Sequence, residues 1–154
     1  LYISSFTFTF IIFIVYLILS FLILKSSILN INGFLYSLNM FIFLIVSFTM
    51  AILISNLVKS KGAISGVVNV ISLGSAFLCG AFIPVKYMPS FALKIAHIFP
   101  TFYFIDNNEY IASLQNIDKA SYEFVLKNLI IMIIFVMIFL ILNTLVTRFK
   151  RKAN

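Results

Sequence analysis

Charged residues are scarce in this 154-residue chain. They make up 10% of it, whereas about a quarter of the residues in a soluble domain are charged. Four stretches contain no charged residue at all: Leu1 to Leu24, Ser26 to Val58, Gly62 to Val85 and Asn128 to Thr147. A hydrocarbon core about 30 Å thick needs roughly 20 apolar residues in a helix, so each stretch is long enough to cross a bilayer. The composition excludes an ordinary soluble domain and predicts an integral membrane protein.

The residue types that build catalytic and metal sites are also rare. Cys79 is the single cysteine, which excludes an intrachain disulfide, and His97 is the single histidine, with no partner ligand at zinc-site spacing. The motifs HExxH and GxSxG and the phosphate-binding loop GxxxxGKS/T are absent, and the four stretches contain no titratable Asp, Glu, Lys, Arg or His. We therefore expect no enzyme activity, cofactor or metal, and a partner would have to supply the energy for any transport.

The apolar stretches predict an all-α, polytopic membrane protein with four transmembrane helices. The predicted spans cover residues 6–24, 35–57, 63–83 and 128–147. In the first of them 15 residues are Phe, Ile, Leu or Val, which favours insertion by roughly 4 to 9 kcal/mol. Spans one and four are apolar on nearly all faces, so we expect them to face membrane lipids.

The cations and the acids occupy different connections between the spans. All four acidic residues lie in the segment 86–127, where four lysines bring the local charge to zero. Six other cations should anchor the cytoplasmic face by the positive-inside rule, namely Lys59, Lys61, Arg148, Lys150, Arg151 and Lys152. This predicts a multi-pass plasma-membrane protein with a cytoplasmic carboxyl terminus and an outer loop over 104–127. The net charge of +7 belongs to this arrangement and does not indicate a nucleic-acid partner.

The third span differs from the others because it is rich in small and weakly polar residues. Its candidate contact face consists of Gly62, Ser65, Gly66, Asn69, Ser72 and Ala76. Such a face lets another helix approach closely, or it lines a path through the membrane. Tight packing is the simpler interpretation, because small-xxx-small patterns are common. The second span carries Asn39, Ser47, Thr49, Ser55 and Asn56, which we expect to pack against the third span or to share the path.

All three prolines of the chain lie between the third and fourth spans. Pro84, Pro89 and Pro100 bracket Ser90 to Phe99, which is too short to cross the membrane, because ten residues of helix reach about 15 Å. Proline lacks an N–H and disfavours helix in the residue before it, so these positions suit breaks between half-helices. We predict a short re-entrant or interfacial helical segment over 84–103 in the outer leaflet.

A succession of residues within this region resembles a known family. It comprises Gly80, Pro84, Met88, Pro89, Pro100 and Tyr103, which follow a basic turn and a small-residue span and precede a last span with a basic tail. The succession resembles the carboxy-terminal four helices of ABC type-2 transporter permeases, the membrane subunits of ATP-driven exporters. Cys79 stands where relatives often have serine.

The resemblance implies a larger assembly. The complete subunit would have six membrane helices, of which this chain supplies the third to the sixth, so we interpret the chain as a fragment of a longer permease. Family members pair two permease subunits around a central path and dock on cytoplasmic ATP-binding cassette subunits. The main docking elements would precede residue 1. The substrate stays open.

A different class of protein fits part of the pattern. A structural or immunity-type membrane protein that acts through helix association would need only the small-residue face of the third span. Such a protein has no use for an interrupted segment in the outer leaflet, so the prolines favour the permease. An intramembrane enzyme is a third possibility that lacks acid, base and metal ligands.

Overall fold

The computed structural model describes residues 2–24, 29–58, 60–114 and 118–153. The helices are α1 (Tyr2–Leu24), α2 (Ile31–Leu57), α3 (Lys61–Leu78), α4 (Ser90–Ala96), α5 (Pro100–Ser113) and α6 (Lys119–Ala153), with one 3-10 turn at Val85–Tyr87. No strand occurs within the described ranges. Three stretches, Ile3–Ile23, Ile31–Leu57 and Lys119–Lys152, are long and apolar enough to cross a membrane, and Gly62–Leu78 is a shorter apolar helix. The all-α membrane fold is thereby confirmed.

Helices α2, α5 and α6 form the core. Its buried side chains are Leu35, Val46, Ile111, Val125, Leu129 and Met132. Val125, Leu129 and Met132 of α6 form an i, i+4, i+7 series, so they lie on one buried stripe of that helix. Beyond Met132, only Asn143 among the described residues of α6 is buried. The first half of α6 is therefore a core helix and the second half faces outward.

Helix α1 lies at the edge of this core. It contacts α2 through aromatic pairs, with ring centroids 5.3 Å apart for Phe6 and Phe48 and 5.5 Å apart for Phe13 and Phe41. Phe13 is its one buried side chain within residues 3–23. A helix that is apolar all round and so exposed must be covered by lipid or by another membrane helix.

The segment predicted as an outer loop, 104–127, is mostly helical. Helix α5 continues to Ser113 and α6 begins at Lys119. Residues 115–117 of the predicted loop lie outside the described residues. The charged residues made this segment resemble a loop. In the structure Glu109 and Glu123 lie on exposed faces of helices whose other faces are buried. Whether the segment lies outside the membrane stays a prediction. Likewise, the third span ends at Leu78 rather than continuing to residue 83.

The start of α6 is set by Asp118. The Ser121 N–H donates a hydrogen bond to Asp118 Oδ1 at 2.8 Å, and the Tyr122 N–H donates to the Asp118 carbonyl at 3.1 Å, which is the geometry of a helix N-cap. Hydrogen bonds from the Ser121 side chain and backbone hold the pKa of the Asp118 carboxyl below its usual value. A charged carboxylate at this position also complements the positive end of the helix dipole.

Candidate functional site: a helical hairpin beside a groove between α2 and α3

The chain turns sharply at the end of α3, and the turn depends on Gly80. This glycine has a φ of +105°, and a Cβ built on it would lie 2.8 Å from Cγ2 of Val85. Residues with a side chain rarely adopt this backbone conformation. The Ala81 N–H donates to the Ala76 carbonyl at 3.1 Å, which closes the end of the helix. Gly80 thus allows the chain to leave α3 and fold back beside it.

The next residues form a helical hairpin whose ends coincide with the prolines. Pro84 precedes the 3-10 turn, Met88 follows it, and Pro89 is the extended residue before α4. Pro100 is the first residue of α5, a position where the missing N–H costs nothing. The Tyr103 hydroxyl donates to the His97 carbonyl at 3.1 Å and so fastens the turn between α4 and α5.

The hairpin packs on the end of α3 through a small buried cluster. Cys79 and Ala96 are fully buried, and Phe102 is 6% exposed. Ala96 is small enough for α4 to come close to α3, and the Cys79 thiol faces the Ala96 carbonyl at 3.9 Å. Cys79 is therefore a small core residue, as expected for a single buried cysteine.

The depth of the hairpin can be measured against α2. The end of α5 lies at the start of α2, where Asn32 Nδ2 donates to the Leu114 carbonyl at 3.1 Å. The start of α5 lies at Val46, which shares a groove with Pro100. Val46 precedes Leu57, the last residue of α2, by about 11 residues or about 17 Å. The turn of the hairpin therefore reaches the level of the middle of α2, about half the thickness of a hydrocarbon core.

A groove lies at this level between α2, α3 and the start of α5. Its volume is about 290 Å³, and eight of its twelve lining residues are apolar. The four that carry hydroxyl groups are Ser47, Ser72, Ser75 and Thr101. A second groove of about 420 Å³ opens on the side of α1 and shares Ser47 and Ser72 with the first. Short hydroxyl side chains leave open space between the two helices. We call these two spaces together the α2–α3 groove.

The predicted small-residue face of α3 is not packed against α2. Gly62, Ser65, Gly66, Asn69 and Ser72 are exposed and Ala76 is half-buried. No atom lies within 4 Å of a Cβ built on Gly66. The neighbouring face, which carries Val68, Ile71 and Ser75, lines the groove toward α2. Of the six predicted residues, Ser72 alone borders the groove, and the others form an open stripe.

The sequence predicted that the polar residues of α2 would pack against α3 or share the path with it. They do not form one surface toward α3. Asn39 turns to α5, Thr49 hydrogen-bonds its own helix, and Asn56 Nδ2 donates to Asn143 Oδ1 of α6 at 2.7 Å. Ser47 and Ser55 do line the groove. An isolated polar residue in a membrane helix finds whichever partner the fold brings within reach, and spacing along one helix does not identify that partner.

A buried amide network joins α2, α5 and α6, and sequence reasoning missed its members on α5. Asn39 Nδ2 donates to the Phe104 carbonyl at 2.9 Å and to Asn108 Oδ1 at 2.8 Å. Asn107 Nδ2 donates to Asn39 Oδ1 at 3.1 Å and to the Val125 carbonyl at 3.2 Å. Asn39 and Asn107 are fully buried, and Asn107 Oδ1 has no hydrogen-bond partner among the described residues. The network holds the hairpin to the core.

A charged side chain supports the same junction. Asn128 Nδ2 of α6 donates to Asp106 Oδ2 of α5 at 2.9 Å. Tyr110 and Phe124 pack nearby on these two helices with ring centroids 4.2 Å apart. In the sequence, the pair Asn107 and Asn108 beside Asp106 was the available signal, but it looked like a polar loop.

The predicted cytoplasmic anchors lie at the other end of the bundle. Arg148, Lys150, Arg151 and Lys152 occupy the last turns of α6. Lys150 Nζ donates a hydrogen bond to the Asn56 carbonyl in the last turn of α2. Lys59 lies outside the described residues, and so does the side chain of Lys61, the first residue of α3. The ends of α2 and α6 and the start of α3 are thus adjacent.

Together these features define a polytopic α-helical membrane protein with a helical hairpin packed beside the α2–α3 groove. A family model described as ABC-2 type transporter matches residues 1–113, which end with the last residue of α5. The chain belongs to this family, which confirms the resemblance found over Gly80 to Tyr103. No curated protein and no solved structure matches the chain. The family consists of permease components of ABC transporters, so the chain is a membrane component and not a catalytic subunit.

Proposed function

We propose that this chain is part of the permease of an ABC exporter and that the α2–α3 groove contributes to the translocation path. The observation that carries the proposal is the hairpin turn beside this groove, at the level of the middle of α2. A protein that works only by helix association needs no such interruption. Family membership supports the permease over that alternative, while export as the direction rests on the resemblance.

The chemistry of the groove fits passage better than tight binding. Its walls carry hydroxyl groups, and Ser75 Oγ is already satisfied by the Ser72 carbonyl at 3.0 Å. Such walls offer a passing polar group brief hydrogen bonds at a low desolvation cost. No titratable residue lines the groove. Proton coupling therefore has no group to act through here, and a separate ATP-binding cassette subunit would supply the energy.

The open stripe on α3 suits a second permease subunit, either a copy of this chain or a related one. Glycine at position 66 would let the backbone of a partner helix approach closely. We expect Gly66→Leu to lower the dimeric fraction of the complete permease about tenfold or more, because the added side chain would occupy the contact. Light scattering in detergent measures this fraction.

Gly74→Leu is the matched control for the stripe. A Cβ on Gly74 also meets no atom within 4 Å, and at 3.6 residues per turn Gly74 points about 80° away from Gly66. This variant should dimerise like the parent. Equal dimerisation of the Gly66 and Gly74 variants would show that the stripe faces lipid and would remove the proposed interface.

The exporter proposal predicts that access to the groove depends on nucleotide. With Cys79→Ala as background, a single cysteine at Ser72 would be labelled with a membrane-impermeant maleimide in the complete transporter. We expect the labelling rate to change severalfold between the nucleotide-free and vanadate-trapped states. A cysteine at Ile138, which is 43% exposed and lies on the outward half of α6, should label slowly in both.

The same preparation tests the remaining parts of the proposal. A hydrolytically active ATP-binding cassette subunit should copurify with the tagged permease. A cysteine at Lys152 should react in opened cells but not in intact ones if the carboxyl terminus is cytoplasmic. Nucleotide-independent labelling at Ser72 would remove the groove from the path even if the ATPase subunit is present.

A further inference from the structure

The carboxyl-terminal end of α6 borders a basic pocket that the transport proposal does not use. The pocket lies between α2 and α6, has a volume of about 370 Å³, and is lined by Asn56, Asn143, Thr147, Arg148 and Arg151 among others. The hydrogen bond from Asn56 Nδ2 to Asn143 Oδ1 at 2.7 Å joins the two helices at its floor. Arg148 and Arg151 are one turn apart on α6, so both guanidinium groups reach the same opening.

An apolar groove continues from this pocket along α6. It has a volume of about 260 Å³, begins at Arg148 and Thr144, and extends past Ile141 to Met137. Met137 and Ile141 are each 55% exposed, so the groove opens to the surroundings of the helix. Arg148 and Met137 are about 11 residues apart, or about 17 Å of helix, which is close to the thickness of one hydrocarbon leaflet.

The two guanidinium groups have no acidic residue of the chain nearby. All acids lie between Asp106 and Glu123. Asp106 accepts a hydrogen bond of 2.9 Å from Asn128 of α6, and Asn128 precedes Arg148 by about 20 residues or about 30 Å. That distance is several times the Debye length of about 10 Å in 0.1 M salt. Lys150 is directed to the Asn56 carbonyl instead. The charge-free stretch ends at Thr147, so Arg148 and Arg151 lie at headgroup level.

We propose that this pocket binds the phosphate of an anionic phospholipid in the adjacent leaflet, with one acyl chain lying in the apolar groove toward Met137. Arg148 and Arg151 would hold the phosphate by paired charge-assisted hydrogen bonds, for which the planar guanidinium is well suited. Basic pockets between membrane helices are known to take acidic lipid headgroups. A soluble phosphorylated ligand would use the pocket but has no use for the apolar groove below it. The proposal does not rest on the transport function.

The test uses the full chain in nanodiscs that contain phosphatidylcholine and a minor fraction of phosphatidylglycerol. Native mass spectrometry after gentle release counts the lipids that stay bound. We expect the parent protein to retain phosphatidylglycerol selectively, and the double variant Arg148→Gln/Arg151→Gln to retain about 10- to 30-fold less. Lys119→Gln/Lys127→Gln, which removes the same charge from the other end of α6, should retain lipid like the parent.

Two further measurements distinguish a phospholipid headgroup from a soluble phosphate as the ligand of the pocket. Ile141→Trp fills the apolar groove and should reduce retention severalfold with both arginines intact, and inorganic phosphate should not displace the lipid. Equal retention of the two lipids, displacement by inorganic phosphate, or unchanged retention in the arginine variant would each overturn the proposal. The proposal would also be overturned by an arginine variant that keeps its lipid but no longer binds an ATP-binding subunit. Identical unfolding curves in phosphatidylcholine alone establish that each variant is folded.

Discussion

Gly80→Ala is expected to lower the free energy of unfolding by about 2 to 5 kcal/mol. The first part of this cost is backbone strain, because alanine at a φ of +105° adopts a conformation that side chains disfavour. The second part is steric, because the new Cβ would lie 2.8 Å from Cγ2 of Val85. Titration with sodium dodecyl sulfate from mild detergent micelles measures the change.

The two contributions can be separated with a second substitution. Val85→Ala removes the atom that the new Cβ would meet, so the double variant should recover the steric part of the loss and keep the strain. Gly74→Ala is the control, because its Cβ meets nothing within 4 Å and its helical position favours alanine by about 0.5 to 1 kcal/mol. A Gly80 variant as stable as the Gly74 variant would mean that the chain leaves α3 by a different turn.

Gly80 also shows what the sequence could reveal about the hairpin. The three prolines identified the breaks in the chain, because proline acts locally through its missing N–H and its fixed φ. The bounds of α4 and α5 follow these breaks closely. The depth of the hairpin was not deducible in the same way, because it depends on contacts such as the stacking of Phe43 on Phe104, which join residues more than 50 positions apart.

The absence of charged residues identified the predicted spans as helices. The presence of charged residues, by contrast, hid a helix near one end of the bundle. The stretches without charge were recovered as α1, α2, α3 and the central part of α6. Helix α5 was overlooked because Asp106 and Glu109 fall within it. Its buried face is built from Phe102, Asn107 and Ile111, at spacings of five and four, and an amide in that series breaks the apolar pattern. Only the partner amide on α2 makes that position favourable.

The sequence of one chain does not identify the helix that contacts the small-residue face of α3. Small residues permit a close approach but do not say which helix approaches. In the structure Val68, Ile71 and Ser75 of α3 line the groove toward α2, and the stripe that includes Gly66 stays open. The polar residues of α2 follow the same rule, since Asn39 and Asn56 found partners on α5 and α6.

Asn39→Leu should be the second strongly destabilising substitution, with an expected loss of about 2 to 4 kcal/mol. Leucine has a similar volume, so packing changes little, but three hydrogen bonds disappear. Asn107 then keeps only its bond to the Val125 carbonyl, and Asn108 Oδ1, on a half-buried side chain, loses a donor. Buried polar groups without partners account for most of the cost.

The unpaired oxygen of Asn107 implies that leucine substitutions at positions 39 and 107 lower stability by different amounts. Asn107→Leu removes two hydrogen bonds, but it also removes Oδ1, which has no partner among the described residues. It should therefore cost less than Asn39→Leu, although the two side chains are equally buried. Asn69→Leu, the same change at an exposed position of α3, should shift stability by less than about 0.5 kcal/mol in monomeric protein.

A double-mutant cycle with alanine at positions 39 and 107 completes the test. The two residues share a hydrogen bond of 3.1 Å, so their effects should differ from additivity by more than about 0.5 kcal/mol. Additive effects, or a larger loss for Asn107 than for Asn39, would contradict the network as described. Because Asn39 holds α5 through the Phe104 carbonyl, its loss should also free the hairpin turn. Faster maleimide labelling of a cysteine at Thr101 would show that release directly, since Thr101 borders the groove beside α2.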